Sequence, residues 1–305
     1  MLENVLTVGN YVLILFVLIG VGFVCNKIKL ISEKTVKEMT NFVLYIVTPC
    51  VIINSYQREF DKEMLKGLII TLAAAVASYA ATILLAHLLI KEKQDKRREK
   101  TLRFGTVFSN CGYMSLPLQQ VLLGDVGVFY GTTYIMVFQI MLWTYGVIVM
   151  SGNMKNISFR KIIVNPGVTS SLVGVLFFIF SITLPSFIGE PIKHLAALNT
   201  PVPMVIVGFH LANANLKIKG FSPYMTLILR HILSPVIMLL GLLACGITGP
   251  IATACVICAS SPVAAATTMF SEKFDGDTPL SATMVSVSTL LAIITMPVLV
   301  GLTLG

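Results

Sequence analysis

Two polar stretches lie inside segments that are otherwise apolar enough to cross a bilayer. They comprise residues 108–120 and 258–264, and each contains a proline, Pro117 or Pro262, together with serine hydroxyls. Proline interrupts a helix because it has no N–H group to donate. In hydrocarbon, unwound backbone is tolerated only where protein buries it or where it lines a polar cavity. The pattern therefore predicts a polar binding site at mid-membrane depth.

The chemistry that these residues favour is anion binding. Ser261 before Pro262 is a favourable helix N-cap, and Ser115 stands two residues before Pro117, so each stretch is expected to begin a half-helix. Two such N-termini would present free N–H groups and partial positive charge to one spot. Further backbone and side-chain groups complete the predicted site: Ser109, Asn110, Gly112, Tyr113, Gln119, Ser260 and Val263.

A second interpretation is that the prolines are only kinks in closely packed helices and that the hydroxyls bond to their own backbones. Two prolines at corresponding mid-span positions favour the binding site over this alternative. On that view, replacing Pro117 or Pro262 by alanine should let the half-helices join and misplace the site.

Composition identifies the elements that must position the site as membrane helices. The 305 residues are 56% hydrophobic and only 12% charged, with a mean hydropathy of +0.87, whereas soluble chains carry about 25% charge. The net charge is +8, and the basic residues lie in short gaps between the apolar spans. They form no basic face with interleaved aromatic residues, which argues against nucleic-acid binding. The six cysteines lie mostly in apolar runs and favour packing over disulfides or metal. No cofactor or metal is predicted.

Taking about 20 apolar residues for each crossing, the sequence predicts an all-α polytopic protein with ten spans. They are 5–25, 37–55, 67–90, 102–123, 126–151, 166–184, 191–213, 224–246, 249–271 and 278–304. The first lacks a basic leader and a cleavage pattern, so it is predicted to be a membrane helix and not a signal peptide.

The distribution of Lys and Arg predicts the orientation of these spans. With both termini extracytoplasmic, the outside loops hold only Arg58, Lys62, Lys66 and Lys193, and the remaining loop cations lie inside, Lys93 and Lys161 among them. The basic run between Lys91 and Arg103 is interpreted as a cytoplasmic connector that determines topology, with binding of anionic lipid or a partner as the alternative.

The two halves of the chain contain related segments. Residues 47–53 of the second span resemble residues 199–206 of the seventh, each around a Thr-Pro pair, and the two polar stretches occupy the fourth and ninth spans. Five spans in each half require the halves to be inverted relative to each other. The predicted organisation is therefore two inverted repeats, 1–151 and 166–305, joined by a cytoplasmic connector at 152–165.

These residues resemble a known family. Thr48-Pro49, the stretch Asn-Cys-Gly-Tyr-Met-Ser-Leu-Pro at 110–117, and Ser-Ser-Pro-Val-Ala at 260–264 are similar to the auxin efflux carrier family, in its prokaryotic branch. That family includes plant PIN-type auxin exporters and bacterial malate and malonate permeases. The resemblance extends over essentially the whole chain, although the long cytoplasmic loop of the plant exporters is absent.

The resemblance implies a fold similar to that of sodium/proton antiporters and bile-acid transporters, with broken fourth and ninth helices that cross. Spans 1, 2, 6 and 7 would form a scaffold and homodimer surface, and spans 3–5 and 8–10 a transport domain that moves in an elevator-like or rocking cycle. It also implies transport of small organic anions, such as auxin-like acids or dicarboxylates, across the cell membrane, with the carboxylate held at the crossover.

Charged and titratable residues within the spans refine this expectation. No Asp or Glu falls in the middle of a span, which argues against a cation site built from carboxylates, although backbone carbonyls remain able to hold sodium. Arg230 and His231 are interpreted as interfacial anchors near a cytoplasmic helix end, with substrate attraction as the alternative. His87 and His210 are likewise interpreted as interfacial residues.

Three classes of function were compared. A carrier of organic anions agrees with all of these features, and a membrane receptor that binds an organic acid without transporting it is the alternative. An intramembrane enzyme is not expected, because no paired aspartates, HExxH motif or Ser-His pair at one depth is present. The predicted partners are a small organic anion and the lipid bilayer, and the resemblance implies a second copy of the chain.

Overall fold

The computed structural model describes residues 2–92, 94–214 and 216–304, and within them the chain is helical apart from its connections and one isolated antiparallel bridge. Lys93 lies outside the described residues, as do Met1, Asn215 and Gly305. The side chains of Phe159 and Lys161 are not described either. The all-helical architecture agrees with the predicted fold class.

Twelve helices carry the fold in the described ranges. They are α1 Leu2–Lys27, α2 Glu33–Tyr56, α3 Lys62–Leu89, α4 Lys96–Val107, α5 111–123, α6 125–151, α7 Pro166–Ile179, α8 Ser186–Ala212, α9 Phe221–Ala244, α10 Gly249–Ser260, α11 Ala266–Lys273 and α12 Thr278–Gly301. Helices α5 and α6 are continuous apart from Gly124, whose backbone (φ 63°, ψ −151°) is not helical. Short helical turns at Met154–Asn156 and Phe159–Ile163 form the connector.

Seven helical segments in the described part of the chain are long and apolar enough to cross a membrane. They are Leu2–Lys27, Glu33–Tyr56, Lys62–Leu89, Cys111–Ser151, Ser186–Ala212, Phe221–Ala244 and Thr278–Gly301. Helices α7 and α10 are apolar but shorter. The chain is thus a polytopic helical protein, while the count of ten spans stays a prediction.

Polar N-caps mark where several helices begin. The carboxylate of Asp61 accepts the Met64 N–H at 2.7 Å ahead of α3, and that of Asp95 accepts the Arg98 N–H at 3.0 Å ahead of α4. Asp277 caps α12 in the same way. These caps satisfy N–H groups that have no partner within the helix.

Three prolines follow π-helical turns. The turns Val43–Val47, Cys111–Ser115 and Leu229–Leu233 each end two residues before a proline, at Pro49, Pro117 and Pro235. A proline clashes with the carbonyl one turn earlier and donates no hydrogen bond to it. The widened turn accommodates this defect without ending the helix.

Helix α1 packs on the second half of α8 and on α12, whereas the second half of α2 packs on α7. Gly22 of α1 and Gly208 of α8 lie where the two backbones touch, since a Cβ atom at Gly22 would overlap the Val205 carbonyl and one at Gly208 the Ile19 carbonyl. Small residues allow such close packing between membrane helices. Among the cysteines of the described chain, all six are free thiols.

Candidate functional site

Two interruptions of the helical structure meet in the buried interior of the molecule. The first interruption, residues 108–110, separates α4 from α5, and the second, residues 261–265, separates α10 from α11. The Asn110 N–H donates to the Pro262 carbonyl at 2.7 Å, and the Ala264 N–H donates to the Phe108 carbonyl at 3.0 Å. The two extended segments therefore satisfy each other's backbone, and their meeting point is called the crossing below.

Arg230 links the helices that end at the crossing. Its Nη1 donates to the carbonyls of Thr106 and Val107, both at 3.1 Å, and these are the last two residues of α4. Its Nη2 donates to the Ala259 carbonyl near the end of α10 and to Ser234 Oγ at 2.8 Å. One guanidinium thus caps the C-termini of two helices, where carbonyls lack helical partners.

His231, the next residue, supports the second interruption through Ser288 of α12. Ser288 Oγ accepts the Val263 N–H at 2.7 Å and lies 2.8 Å from His231 Nε2. The other ring nitrogen, Nδ1, lies 2.9 Å from Thr295 Oγ1, whose own hydroxyl donates to the Leu291 carbonyl. These partners assign the proton to Nδ1, with Nε2 accepting from Ser288. A continuous hydrogen-bonded chain therefore holds Val263 in place.

Several buried polar atoms that have no partner in the described part of the chain lie beside the crossing. Asn110 is the residue before α5, and its Nδ2 is buried with no hydrogen bond within the described chain; the same holds for Ser109 Oγ and Thr267 Oγ1. Buried polar groups are nearly always paired, by protein, water or ligand. The side chain of Asn110 makes no cap bond to α5, so it is available to another molecule.

The predicted serine caps are not formed. Ser261 is the C-cap of α10, and α11 begins only at Ala266, so the predicted half-helix start at Ser261-Pro262 was wrong. The Ser260 and Ser261 hydroxyls donate to the Ile257 carbonyl at 3.2 and 3.0 Å, and the Ser115 hydroxyl donates to the Cys111 carbonyl. Back-bonding to the preceding turn, the alternative considered above, describes these three serines.

The remaining residues of the predicted site lie around the same place. Gln119 Nε2 donates to the Ala254 carbonyl of α10 and contacts Cys258 Sγ, both at 3.1 Å, and so joins α5 to α10. Pro117 and Pro262 are buried, whereas Gly112 and Tyr113 in the first turn of α5 are partly exposed. The structure therefore brings the two predicted stretches together but moves the start of α5 to Cys111.

Arg230 corrects the sequence-based interpretation most clearly. It was interpreted as an interfacial anchor, yet only 2% of it is exposed, and it lies at the crossing. The signal was its position, since Arg230 stands nine residues after Phe221, the first residue of α9. At a rise of about 1.5 Å per residue, that places it well inside the helix. A charge at this depth calls for a structural or functional partner.

The basic residues in the first turns of α4 are tied to the turn that follows α11. Arg97 forms an ion pair with Asp275 at 2.7 Å, and Lys100 Nζ donates to the Phe274 carbonyl at 2.6 Å. A surface cavity of about 420 Å³ beside Arg97 and Asp277 lies in the same area and not at the crossing. These cations therefore have partners within the chain, which agrees with a structural connector.

Comparisons with known proteins identify relatives along most of the chain. Residues 7–300 match the family described as membrane transport protein. An uncharacterized transporter of Methanocaldococcus jannaschii is 25% identical over 237 residues, which are 74% of this chain and 76% of the relative. Both findings point to a transporter and not to an enzyme, and neither supports the receptor alternative. The family predicted from the residue patterns is confirmed.

Proposed function

The chain belongs to the auxin efflux carrier family of membrane transport proteins, and from this premise we propose that it is a secondary carrier of small organic anions. A carrier needs a ligand site inside the membrane and two elements that can move relative to each other. The crossing is the candidate for the ligand site, and the packing of the helices around it supports the presence of two elements that move relative to each other.

The donors and the positive charge near the crossing favour an anion as the ligand. Beside the crossing lie buried donors, above all Asn110 Nδ2, that have no hydrogen-bond partner in the described ranges. The Arg230 guanidinium lies at the ends of the two helices that meet there. No salt bridge joins an acidic side chain to Arg230 in the described ranges. Donors and a positive charge without a carboxylate partner suit a ligand that supplies the carboxylate.

In the proposed site, the carboxylate accepts from Asn110 Nδ2, from the first backbone N–H groups of α5 and from the hydroxyls of Ser109 and Thr267. The first N–H groups of a helix have no partner within it, and the partial positive charge of that end favours an anion. Tyr113 and Gly112, partly exposed beside these groups, would contact the rest of the molecule. Auxin-like acids and short dicarboxylates are the proposed substrate class.

The proposed architecture has ten spans in two inverted repeats, with α4 and α5 as halves of the fourth and α10 and α11 as halves of the ninth. The packing supports this architecture, because span 1 contacts span 7 and span 2 contacts span 6. Exchanging the two repeats maps span 1 onto span 6 and span 2 onto span 7, so it converts one of these contacts into the other. The close approach of α1 and α8 at Gly22 and Gly208 suits a rigid scaffold.

We further propose that the crossing moves against this scaffold in an elevator-like cycle, in a homodimer with both termini on the outer face of the cell membrane. The hydrogen bonds between the interruptions support movement of spans 4 and 9 as one body, because separating them would leave backbone groups unpaired in a low-dielectric interior.

Uptake by proteoliposomes tests the function. Purified protein is reconstituted and offered labelled malate, malonate, succinate or indole-3-acetate, with indole-3-acetamide as a neutral control. We expect saturable uptake of at least one acid and none of the amide, because the negative charge of a carboxylate strengthens its hydrogen bonds to the free donors and the amide is neutral. Equal uptake of the acid and its amide would contradict the proposed recognition, and ligand binding without any flux would favour a receptor.

A further inference from the structure

We propose that Arg230 is a built-in cation that takes the place of a bound metal ion at the crossing, so that this carrier needs no sodium to hold its site together. The structural part of this proposal stands alone. Its consequence for transport rests on the proposed function above.

Four oxygen atoms surround the guanidinium. The carbonyls of Thr106, Val107 and Ala259 and the hydroxyl of Ser234 converge on it. Three of these are C-terminal carbonyls of α4 and α10, and helix C-termini carry partial negative charge. In transporters with interrupted helices, such carbonyls coordinate sodium ions or protons. An oxygen set that could hold a small cation is therefore already filled by an arginine.

The shape of the guanidinium explains why it can serve two helices at once. Arginine has five N–H donors in a planar fork. Four of them reach oxygens, with Nη1 directed to α4 and Nη2 directed to α10 and Ser234. The fifth, on Nε, has no partner in the described part of the chain. With four donors committed to backbone and serine oxygens, Arg230 acts on the ligand mainly through its charge and by positioning both interruptions.

Among the described residues, the charge of Arg230 is offset by these carbonyl and hydroxyl dipoles. The described chain shows no salt bridge to it, and it is almost completely buried. Burying a charge is costly unless hydrogen bonds compensate for it. The crossing therefore holds one positive charge before any ligand arrives, which a monovalent carboxylate neutralises without the help of a second cation.

Thermal unfolding of the detergent-purified protein tests the assignment without any transport measurement. The wild type, Arg230→Ala and Arg230→Lys are compared in sodium chloride and in choline chloride of equal ionic strength, with Arg160→Ala, at an exposed position of the connector, as the control. We expect the wild-type midpoint to be the same in both salts. In choline chloride, the unfolding midpoint of Arg230→Ala should be at least about 5 °C below that of the wild type.

Low-millimolar guanidinium or sodium should restore much of the loss in Arg230→Ala, because a small cation can enter the vacated oxygen set, whereas choline is too large. Neither ion should raise the midpoint of Arg160→Ala or the wild type. Arg230→Lys, which keeps the charge but not the fork, should lie in between. If Arg230→Ala does not fold, the salt comparison on the wild type and Arg230→Lys still decides the question.

Stabilisation of the wild type by sodium over choline would overturn the proposal, as would an Arg230→Ala protein that loses no stability or that no cation rescues. With flux in hand, uptake in sodium-free buffer should equal uptake in sodium. An absence of flux together with the expected stability pattern would count against the proposed function and leave the assignment of Arg230 intact.

Discussion

The two interruptions resemble each other in position but differ in how their polar groups are used. The first is three residues long, and α5 starts at once at Cys111, with Asn110 Nδ2 left without a hydrogen-bond partner among the described residues. The second is five residues long, and its backbone is tied on both sides: Val263 donates to Ser288, and Ala264 donates to Phe108.

The two interruptions therefore have different roles in the proposed site. The first interruption provides free donors and an uncapped helix N-terminus, which are the properties of a binding element. The second provides acceptors and donors that are already satisfied by α12 and by the first interruption, which are the properties of a support. In the proposed site, the first interruption is therefore the binding side and the second interruption is the anchoring side.

The largest expected effect comes from removing the free amide on the binding side. Asn110→Ala should weaken carboxylate binding about 10- to 150-fold, because hydrogen bonds to charged groups contribute about 1.5–3 kcal/mol. Ser261→Ala on the anchoring side should change binding little, since that hydroxyl donates to the Ile257 carbonyl. Ligand titration of both purified variants, with thermal unfolding to show that they fold, measures the difference.

Equal losses in the two variants would remove the distinction between the binding and anchoring sides. Wild-type binding by Asn110→Ala would remove the proposed site itself.

A smaller effect is expected from releasing the anchoring side. Ser288→Ala leaves the Val263 N–H and His231 Nε2 without their partner, and a buried group left unpaired costs about 1–3 kcal/mol. The unfolding midpoint should therefore fall. Ser286→Ala on the same helix is the control, because its hydroxyl makes no bond to either interruption in the described chain. Equal midpoints for the two variants would show that the hydrogen-bonded chain contributes nothing.

The smallest effects are expected at the prolines. The first interruption ends seven residues before Pro117, which follows a π-helical turn, so Pro117→Ala should not join α4 to α5. Pro262→Ala keeps the carbonyl that accepts from Asn110. Both variants should lose about 1 kcal/mol or less of unfolding free energy, chiefly through greater freedom of the unfolded chain. Loss of ligand binding in Pro117→Ala would contradict this placement of the break.

The sequence was sufficient to locate both stretches and the family, because proline, glycine and clustered hydroxyls are rare together in apolar segments. The position of the first break was harder to predict. Pro117 was expected to begin a half-helix, but the π-helical turn Cys111–Ser115 absorbs the proline and shifts the break upstream to 108–110. The choice between a widened turn and a broken helix depends on packing with α10, which the local sequence does not contain.

Arg230 could not be assigned from the sequence for a related reason. Its oxygen partners at Thr106, Val107 and Ala259 come from segments far apart in the chain. A hydropathy pattern shows that a charged residue interrupts an apolar segment, but it does not identify the groups that contact the charged side chain. The same holds for the hydrogen-bonded chain from His231 through Ser288 to Val263, which joins helices α9 and α12 to the second interruption.

The buried guanidinium has a consequence for how voltage acts on the proposed carrier. An element that holds Arg230 and no ligand moves one positive charge, whereas the same element with a monovalent anion moves none. Moving one elementary charge across the whole membrane changes the free energy by about 2.3 kcal/mol for each 100 mV of membrane potential. In a cell with a negative interior, the potential would therefore draw the empty crossing inward and would not act on the crossing that holds a monovalent anion. Voltage would then change the rate at which the empty site moves and not the rate at which the loaded site moves.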